Sequence, residues 1–232
     1  MLRKETVSEA TLGLLKKLMQ DESVKEFFLV GGTALSLQLG HRISIDLDLF
    51  CTSSFDVEIM LSKLENNYHF KLDFESKNTL KGEIDGIKVD FITHSYPFVR
   101  PLILSEEIRM ASLEDISAMK LNAIAGNGTR LKDFVDLAYL STKLPLVEMV
   151  KAYEQKYTSR NPTIVIKALD YHKDINFNEK IKMLDVDYNW ENIETRLKQM
   201  TLHPQQIFVQ QPGKNKIEER KQKPKHDRGL GI

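Results

Sequence analysis

Two carboxylates two residues apart, Asp46 and Asp48, follow closely on a Gly31-Gly32-Thr33 turn. In the run RISIDLDLF at 42–50, strict alternation predicts a strand with Ile43, Ile45, Leu47 and Leu49 on one face and Ser44, Asp46 and Asp48 on the other. Carboxylate oxygens are hard ligands suited to Mg²⁺. Two of them close together without a cation repel and raise a pKa, so a metal is one reason to place both on one face. An ordinary solvated acidic strand face is the other reason.

The turn adds a second chemistry. A strand entering Gly-Gly-Thr at a helix start presents unpaired backbone N–H groups and the positive end of the helix dipole to an anion, and glycine lets a phosphate come close to the backbone. Arg42 and Ser44 lie where they can touch phosphate, and Arg42 can equally pair with an aspartate to order the loop. Asp90 sits on the outer side of a later strand whose Ile87, Val89 and Phe91 share the core face. If that strand pairs beside the first, three carboxylates and an anion-binding turn suit two-metal phosphoryl chemistry. The scattered histidines, His41 included, read as structural or solvated, and Cys51, with no activating histidine in view, reads as a packed thiol.

The elements that must hold these residues fall into three parts. Residues 1–105 mix helix and strand signals. Ser8 caps a helix bearing Leu12, Leu15 and Met19, and FFLV at 27–30 is a buried strand. A short helix over about Thr33–Leu39 stops at Gly40. A helix at about 55–66, a strand at 68–75 and a hairpin over 79–92 turning at Asp85-Gly86 follow. Residues 106–205 read as a small helical bundle with starts at Ser112, about 130, Pro145, Asn161-Pro162 and Trp190. Residues 206–232 hold too few apolar side chains to bury a face and read as a basic, disordered tail.

A chain of 232 residues with 41% apolar content has room for an ordinary core in one or two domains. Its 33 basic and 33 acidic residues give no net charge, which argues against a surface that is wholly a nucleic-acid or membrane binder. The zero hides structure, because the three segments carry −3, −1 and +4. One cysteine, no signal-peptide pattern and no long apolar stretch point to a cytoplasmic protein with no membrane partner.

The run GGTAL…HRISIDLDLF resembles the first motif of the polymerase-beta-like nucleotidyltransferases, and specifically the AbiEii/AbiGii-type toxin family, in which Gly-Gly-Thr stands where other members carry Gly-Ser. MKLNAIAGNGTRLKDFVDLAYL at 119–140 is similar to that family's second block, and 168–190 to its C-terminal region, so the resemblance spans about 30–200. It implies an α+β fold, a polymerase-beta-like nucleotidyltransferase domain with a mixed sheet flanked by helices, followed by a helical bundle that completes the nucleotide site. The two metal-binding aspartates fall on Asp46 and Asp48, and the third carboxylate on Asp90. The block-two lysine falls on Lys120, implied to contact the triphosphate, and either Asp133 or Asp136 matches the last aspartate. With Gly31, Gly32, Thr33, Arg42 and Ser44 these make the expected nucleotide site.

The implied activity is transfer of an NMP from an NTP to an acceptor hydroxyl with two Mg²⁺ ions. The implied setting is a toxin–antitoxin or phage-defence (abortive infection) pair acting on tRNA or another RNA, with a cognate antitoxin as partner. The alternatives are a protein-modifying AMP transferase and a catalytically inactive nucleotide- or partner-binding module of the same fold.

Overall fold

The apolar side chains Leu47, Leu49 and Cys51 alternate with Asp48 and Phe50, and this alternation sets the middle of a sheet whose two faces do different work. The computed structural model describes residues 1–213. In chain order the elements are α1 (Glu9–Gln20), β1 (Phe28–Leu29), α2 (Gly31–Leu39), β2 (Leu47–Cys51), α3 (Val57–Tyr68), β3 (Lys71–Ser76), β4 (Thr79–Ile84) and β5 (Ile87–Thr93). They continue as β6 (Ile103–Ser105), β7 (Ile108–Met110), α4 (Leu113–Gly126), α5 (Leu131–Leu140), α6 (Leu146–Lys156), α7 (Pro162–Leu169) and α8 (Trp190–Leu202). The strands form one mixed sheet in the order β3-β4-β5-β2-β1-β7-β6. β2 runs parallel to β5 and antiparallel to β1, while β1 runs parallel to β7. This is the mixed α+β sheet with flanking helices expected from the sequence, followed by the helices α4–α8.

Local chemistry accounts for most boundaries. Ser8, Asp56, Ser112, Asn161 and Asn189 each accept a hydrogen bond from a first-turn N–H of the helix they cap. Gly40 closes α2 in the left-handed region at φ 73°. Asp85 and Gly86, at φ 52° and 78°, make the hairpin turn between β4 and β5. The inner face of the sheet, with Leu29, Leu49, Leu80, Val89 and Phe91 fully buried, carries the core. α2 joins the two halves, touching β2 on one side and α4 and α5 on the other.

Four differences from the sequence reading matter. The strand expected over 42–50 begins only at Leu47; residues 42–46 are loop, with Arg42 and Ser44 buried and Ile45 63% exposed. The reason is long-range: Asp136 draws Arg42 inward and Thr33 draws Ser44, reversing the alternation that sequence predicts. α2 starts at Gly31, two residues before the expected start. The β6–β7 hairpin was not foreseen, because its turn is made by Glu106 and Glu107 at positive φ with no glycine to mark it. Residues 206–213, placed in the tail by sequence, run against α8: Phe208 is buried, its N–H donates to the Ser141 carbonyl at 2.9 Å, and Arg196 lies over its ring at 4.6 Å. Residues 214–232 of that tail lie outside the described residues.

Phe91 sits between Phe27 and Phe70, with ring centroids 5.4 and 6.3 Å away. Replacing it with alanine in so tight a setting should cost about 3–5 kcal/mol. Chemical denaturation should show a lower midpoint with an unchanged slope; a shift of under about 1 kcal/mol would mean that this face is not the core.

Candidate active site

The β1–α2 turn is pressed against the carboxylates. Gly31 stands at φ 68°, and a Cβ there would come within 2.2 Å of Asp48 Oδ2. A Cβ on Gly32 would meet Arg42 Nη2 at 2.3 Å. Only glycine supplies both the backbone angle and the space. The residue before the helix, Val30, gives no side-chain cap, so the first-turn N–H groups of α2 are left for another acceptor. Thr33 Oγ1 lies 2.8 Å from Ser44 Oγ and also bonds the Asp46 carbonyl, which ties the loop before β2 to this helix start.

The parallel register sets Asp48 of β2 directly opposite Asp90 of β5, on the face away from the core. Asp46 is exposed in the loop two residues earlier. Burial pushes the Asp48 carboxyl above its ordinary pKa, the charges of Asp90 and Asp46 push it further, and Lys120 and Arg130 only partly offset them. Asp90 forms an ion pair with Lys81 of β4 at 2.8 Å. Among the described residues the Asp46 and Asp48 side chains accept no hydrogen bond, and no three His, Cys, Asp or Glu side chains stand together as a ready-made metal centre. The donor set nevertheless fits a hard divalent cation: oxygen ligands only, one of them desolvated and repelled by its neighbours, a state that a cation relieves.

Behind this face lies a fully occupied carboxylate. Asp136 of α5 accepts from His41 Nε2 at 2.9 Å and Arg42 Nε at 2.7 Å on one oxygen and from Arg42 Nη2 at 2.9 Å on the other, which also forms an ion pair with Lys120 Nζ at 2.8 Å. Lys120 also reaches Asp133 at 2.6 Å. Burial works against the charge on Asp136, but Arg42 and Lys120 outweigh it and hold the carboxyl well below the usual range. Burial likewise opposes the Lys120 charge, and Asp136 and Asp133 outweigh it, so the ammonium is kept. His41, buried, is pushed down and stays neutral.

A cavity of about 170 Å³ opens beside Asp46, Asp48 and Gly32. Six cationic side chains line it: Arg42, Lys120, Arg130, Lys132, Lys180 and Lys182. Arg42 and Lys120 are held by Asp136, and Lys132 pairs with Glu179 at 3.0 Å. Arg130, Lys180 and Lys182 make no ion pair among the described residues. Such a wall, facing two carboxylates, can hold a polyanion with its metal counter-ions.

Of the residues singled out from sequence, the structure brings Gly32, Arg42, Ser44, Asp46, Asp48 and Lys120 to the cavity wall, sets Gly31 against Asp48, and lays Asp90 opposite Asp48. Thr33 braces the loop from behind. Asp133 and Asp136 do not line this cavity; they hold Lys120 and Arg42. Cys51 is buried, as expected of a packed thiol. Sequence reasoning missed Arg130, Lys132, Lys180 and Lys182. The last two arrive on a loop that bridges Arg42 to Met183, and nothing in EKIKML separates them from a solvated charge run.

The chain matches the family described as nucleotidyl transferase AbiEii toxin, type IV toxin–antitoxin system, over residues 13–69 and 56–208. It is 33% identical over 189 residues to the Aquifex aeolicus protein aq_aa25, covering 78% of this chain and 88% of that protein. The crystal structure of JHP933 from Helicobacter pylori superposes with a TM-score of 0.51 at 20% identity, covering 84% of this chain and 92% of that one. A second H. pylori structure gives a TM-score of 0.51 at 19% identity, with 84% and 94% covered. At these identities the two structures speak for the fold.

Asp136, fully buried, and Asp48, half-buried on the sheet face, have opposite linkage to pH. Asp136, held low, stabilises the fold above its unfolded value of about 4, and that contribution is lost as the pH falls through its folded value. Asp136→Asn leaves Arg42 and Lys120 short of their anion, so it should cost about 3–5 kcal/mol at pH 7. Asp48, held high, costs stability once it ionises. In metal-free buffer Asp48→Asn should therefore raise the thermal midpoint at pH 7 and change little well below pH ~4, where both states are protonated. A lower midpoint for Asp48→Asn at pH 7 would refute this account of its burial.

Proposed function

The chain belongs to the AbiEii nucleotidyl transferase toxin family, and we propose that it moves an NMP from an NTP to an RNA hydroxyl, a tRNA 3′ end foremost, as the toxin of a toxin–antitoxin or phage-defence pair. Nucleotidyl transfer is the family's activity; the acceptor, the metal and the biological setting are our reading. One observation carries it: the parallel register that lays Asp48 opposite Asp90 beside a small cavity walled by six cations. A cytoplasmic site of action and a cognate antitoxin belong to the same reading. Among the described residues no helix is long and apolar enough to cross a membrane.

In this reaction the acceptor oxygen forms a bond to the α-phosphorus while the bond from that phosphorus to the bridging oxygen breaks, and pyrophosphate leaves with the electron pair. Asp46 and Asp48 would hold Mg²⁺, with Asp90 completing the set, and the bound ions would supply charge neutralisation of the phosphates and acidification of the acceptor hydroxyl. The protein's own groups supply position. The first-turn N–H groups of α2 and the Gly31-Gly32 backbone lie where phosphate oxygens can accept from them. Lys120 and Arg42, fixed by Asp136, present charge that does not have to reorganise during transfer. Lys81, paired to Asp90 at 2.8 Å, helps fix where that carboxylate stands to take the acceptor's proton.

The decisive experiment combines purified protein, Mg²⁺, each labelled NTP and separate cellular RNA and protein pools. Label should enter RNA, and require the metal. The double variant Asp46→Asn, Asp48→Asn should lose both labelling and growth inhibition while its circular dichroism is unchanged. Undiminished labelling by the double variant overturns the reading. Label entering protein would instead identify an AMP-transferring modifier, and tight metal-independent NTP binding without transfer would identify an inactive binding module.

A further inference from the structure

The segment after α8, Gln206-Ile207-Phe208-Val209-Gln210, reads alike in both directions by chemical type. Phe208 is its centre, a β-branched residue stands on either side, and a glutamine closes each end. No charged side chain occurs from Pro204 to Gly213, in a chain that is 28% charged. The segment is held along one side only. Phe208 N–H donates to the Ser141 carbonyl at 2.9 Å, and the Gln210 carbonyl accepts from Arg196 Nη2 at 2.8 Å. Arg196, itself buried, also donates to Ser141 Oγ at 3.0 Å and covers the Phe208 ring.

Phe208 is buried while its neighbours Ile207 and Val209 are 47% and 87% exposed, a period of two that belongs to extended backbone. In such a chain the N–H and C=O groups of alternate residues point to opposite sides. Those of Phe208 and Gln210 are bonded inward, so those of Ile207 and Val209 point outward, and their N–H groups make no hydrogen bond among the described residues. This is an unpaired strand edge. The edges of the main sheet are protected: β3 carries Lys71, Asp73 and Glu75, and β6 is only three residues long. Neither charge nor lysine protects 206–210, but Pro204 and Pro212, which donate no N–H, bracket it and confine any pairing to the residues between them.

We propose that this edge pairs antiparallel with the same residues of a second copy of the chain, with a two-fold axis at Phe208. The sequence and the bonding parity both select that register. Centring on Phe208 sets Ile207 opposite Val209 of the second copy and Gln206 opposite its Gln210. Ile207 and Val209 are the residues whose N–H and C=O groups point outward, so each such pair exchanges both of its N–H···O bonds and joins two exposed apolar side chains on one face. An isologous contact requires a self-complementary patch, and an uncharged segment symmetric about one residue is such a patch; two copies bring no like charges together. The cavity beside Asp46 and Asp48 shares no wall residue with this edge, so the pairing is independent of the nucleotidyl-transfer reading. A ribbon this short buries less than the roughly 1,200 Å² of a standard stable interface, so the dimer is weak, with a dissociation constant on the order of 10–1,000 μM.

Sedimentation equilibrium of the full chain over that concentration range tests it. The parent should show monomer and dimer in exchange. Val209→Pro removes an outward N–H and no inward bond, and Ile207→Lys with Val209→Lys sets like charges opposite one another; each should weaken the dimer by at least about tenfold. Val209→Ile, which keeps the N–H and the branched side chain, should dimerise like the parent, and all variants should keep the parent's thermal midpoint in dilute solution. Register is read by crosslinking. Gln206→Cys with Gln210→Cys should form an intermolecular disulfide on mild oxidation, because a non-hydrogen-bonded antiparallel pair stands at about 4.5 Å between Cα atoms. Within one extended chain the same two positions lie roughly 13 Å apart and cannot bridge. Gln205→Cys with Gln210→Cys, out of register, should stay reduced, and the buried Cys51 offers no competing thiol. A parent that stays monomeric throughout overturns the proposal and leaves the edge to a strand of a different protein. A dimer that survives both Val209→Pro and the double lysine variant, or that crosslinks through 205 and 210 and not through 206 and 210, overturns it as well.

Discussion

A charge buried in a protein interior has to be answered, and most of this site is arranged around the answer to Asp136. Its two oxygens accept three hydrogen bonds, one from His41 and two from Arg42, and Lys120 adds an ion pair. The donors come from the loop before β2 and from α4, while the carboxylate itself sits on α5. The four charged members, Arg42, Lys120, Asp133 and Asp136, sum to zero, so the network can be buried without a net charge. Such clusters contribute little net stability against an apolar core, but removing one member exposes the others' desolvation. What the cluster does contribute is position: it makes the sheet half and the helical half agree on where Arg42 and Lys120 stand.

Asp48 shows the opposite arrangement a short distance away. It too is desolvated, but its nearest charges include two further carboxylates, and Lys120, already shared between Asp133 and Asp136, only partly offsets them. One aspartate is thus pushed far down and the other up by the same physics, the difference lying in which side chains are close. A fold selected only for stability would have paired Asp48 or replaced it. The backbone reinforces the point, because Gly31 is held at positive φ with no room for a Cβ against the Asp48 carboxylate. Glycine takes that angle without strain, so the close approach of turn and carboxylate is built into the backbone.

The parts of the fold legible in sequence were those fixed by near neighbours. Helix caps at Ser8, Ser112 and Asn161, the Asp85-Gly86 turn and the Gly40 stop depend on residues within four positions, and all five stand where the pattern puts them. The segment 42–46 was misread as strand because its conformation is decided by Asp136, 94 residues away from Arg42, and no alternation rule contains that information. The same distance explains the site. The carboxylates and the glycine turn were visible as one local motif, and Lys120 through resemblance, whereas the remaining cations enter only through tertiary contact.

That contact is itself a consequence of the Asp136 cluster. Drawing Arg42 and His41 inward leaves the backbone of the loop exposed along one edge, and the segment after α7 pairs with it: Ile43 N–H donates to the Lys182 carbonyl at 2.8 Å and Leu184 N–H to the His41 carbonyl at 3.1 Å. These two bonds carry Lys180 and Lys182 to the cavity. The wall then contains two kinds of cation. Arg42, Lys120 and Lys132 are matched by protein carboxylates and serve as fixed scaffolding, while Lys180, Lys182 and Arg130 carry charge that the described residues leave unmatched. A chain with no net charge can therefore concentrate positive potential at one opening. Asp46 and Asp48 line the acidic side of the same opening. That concentration follows from the placement of these charges, with no need for an excess of either sign across the chain.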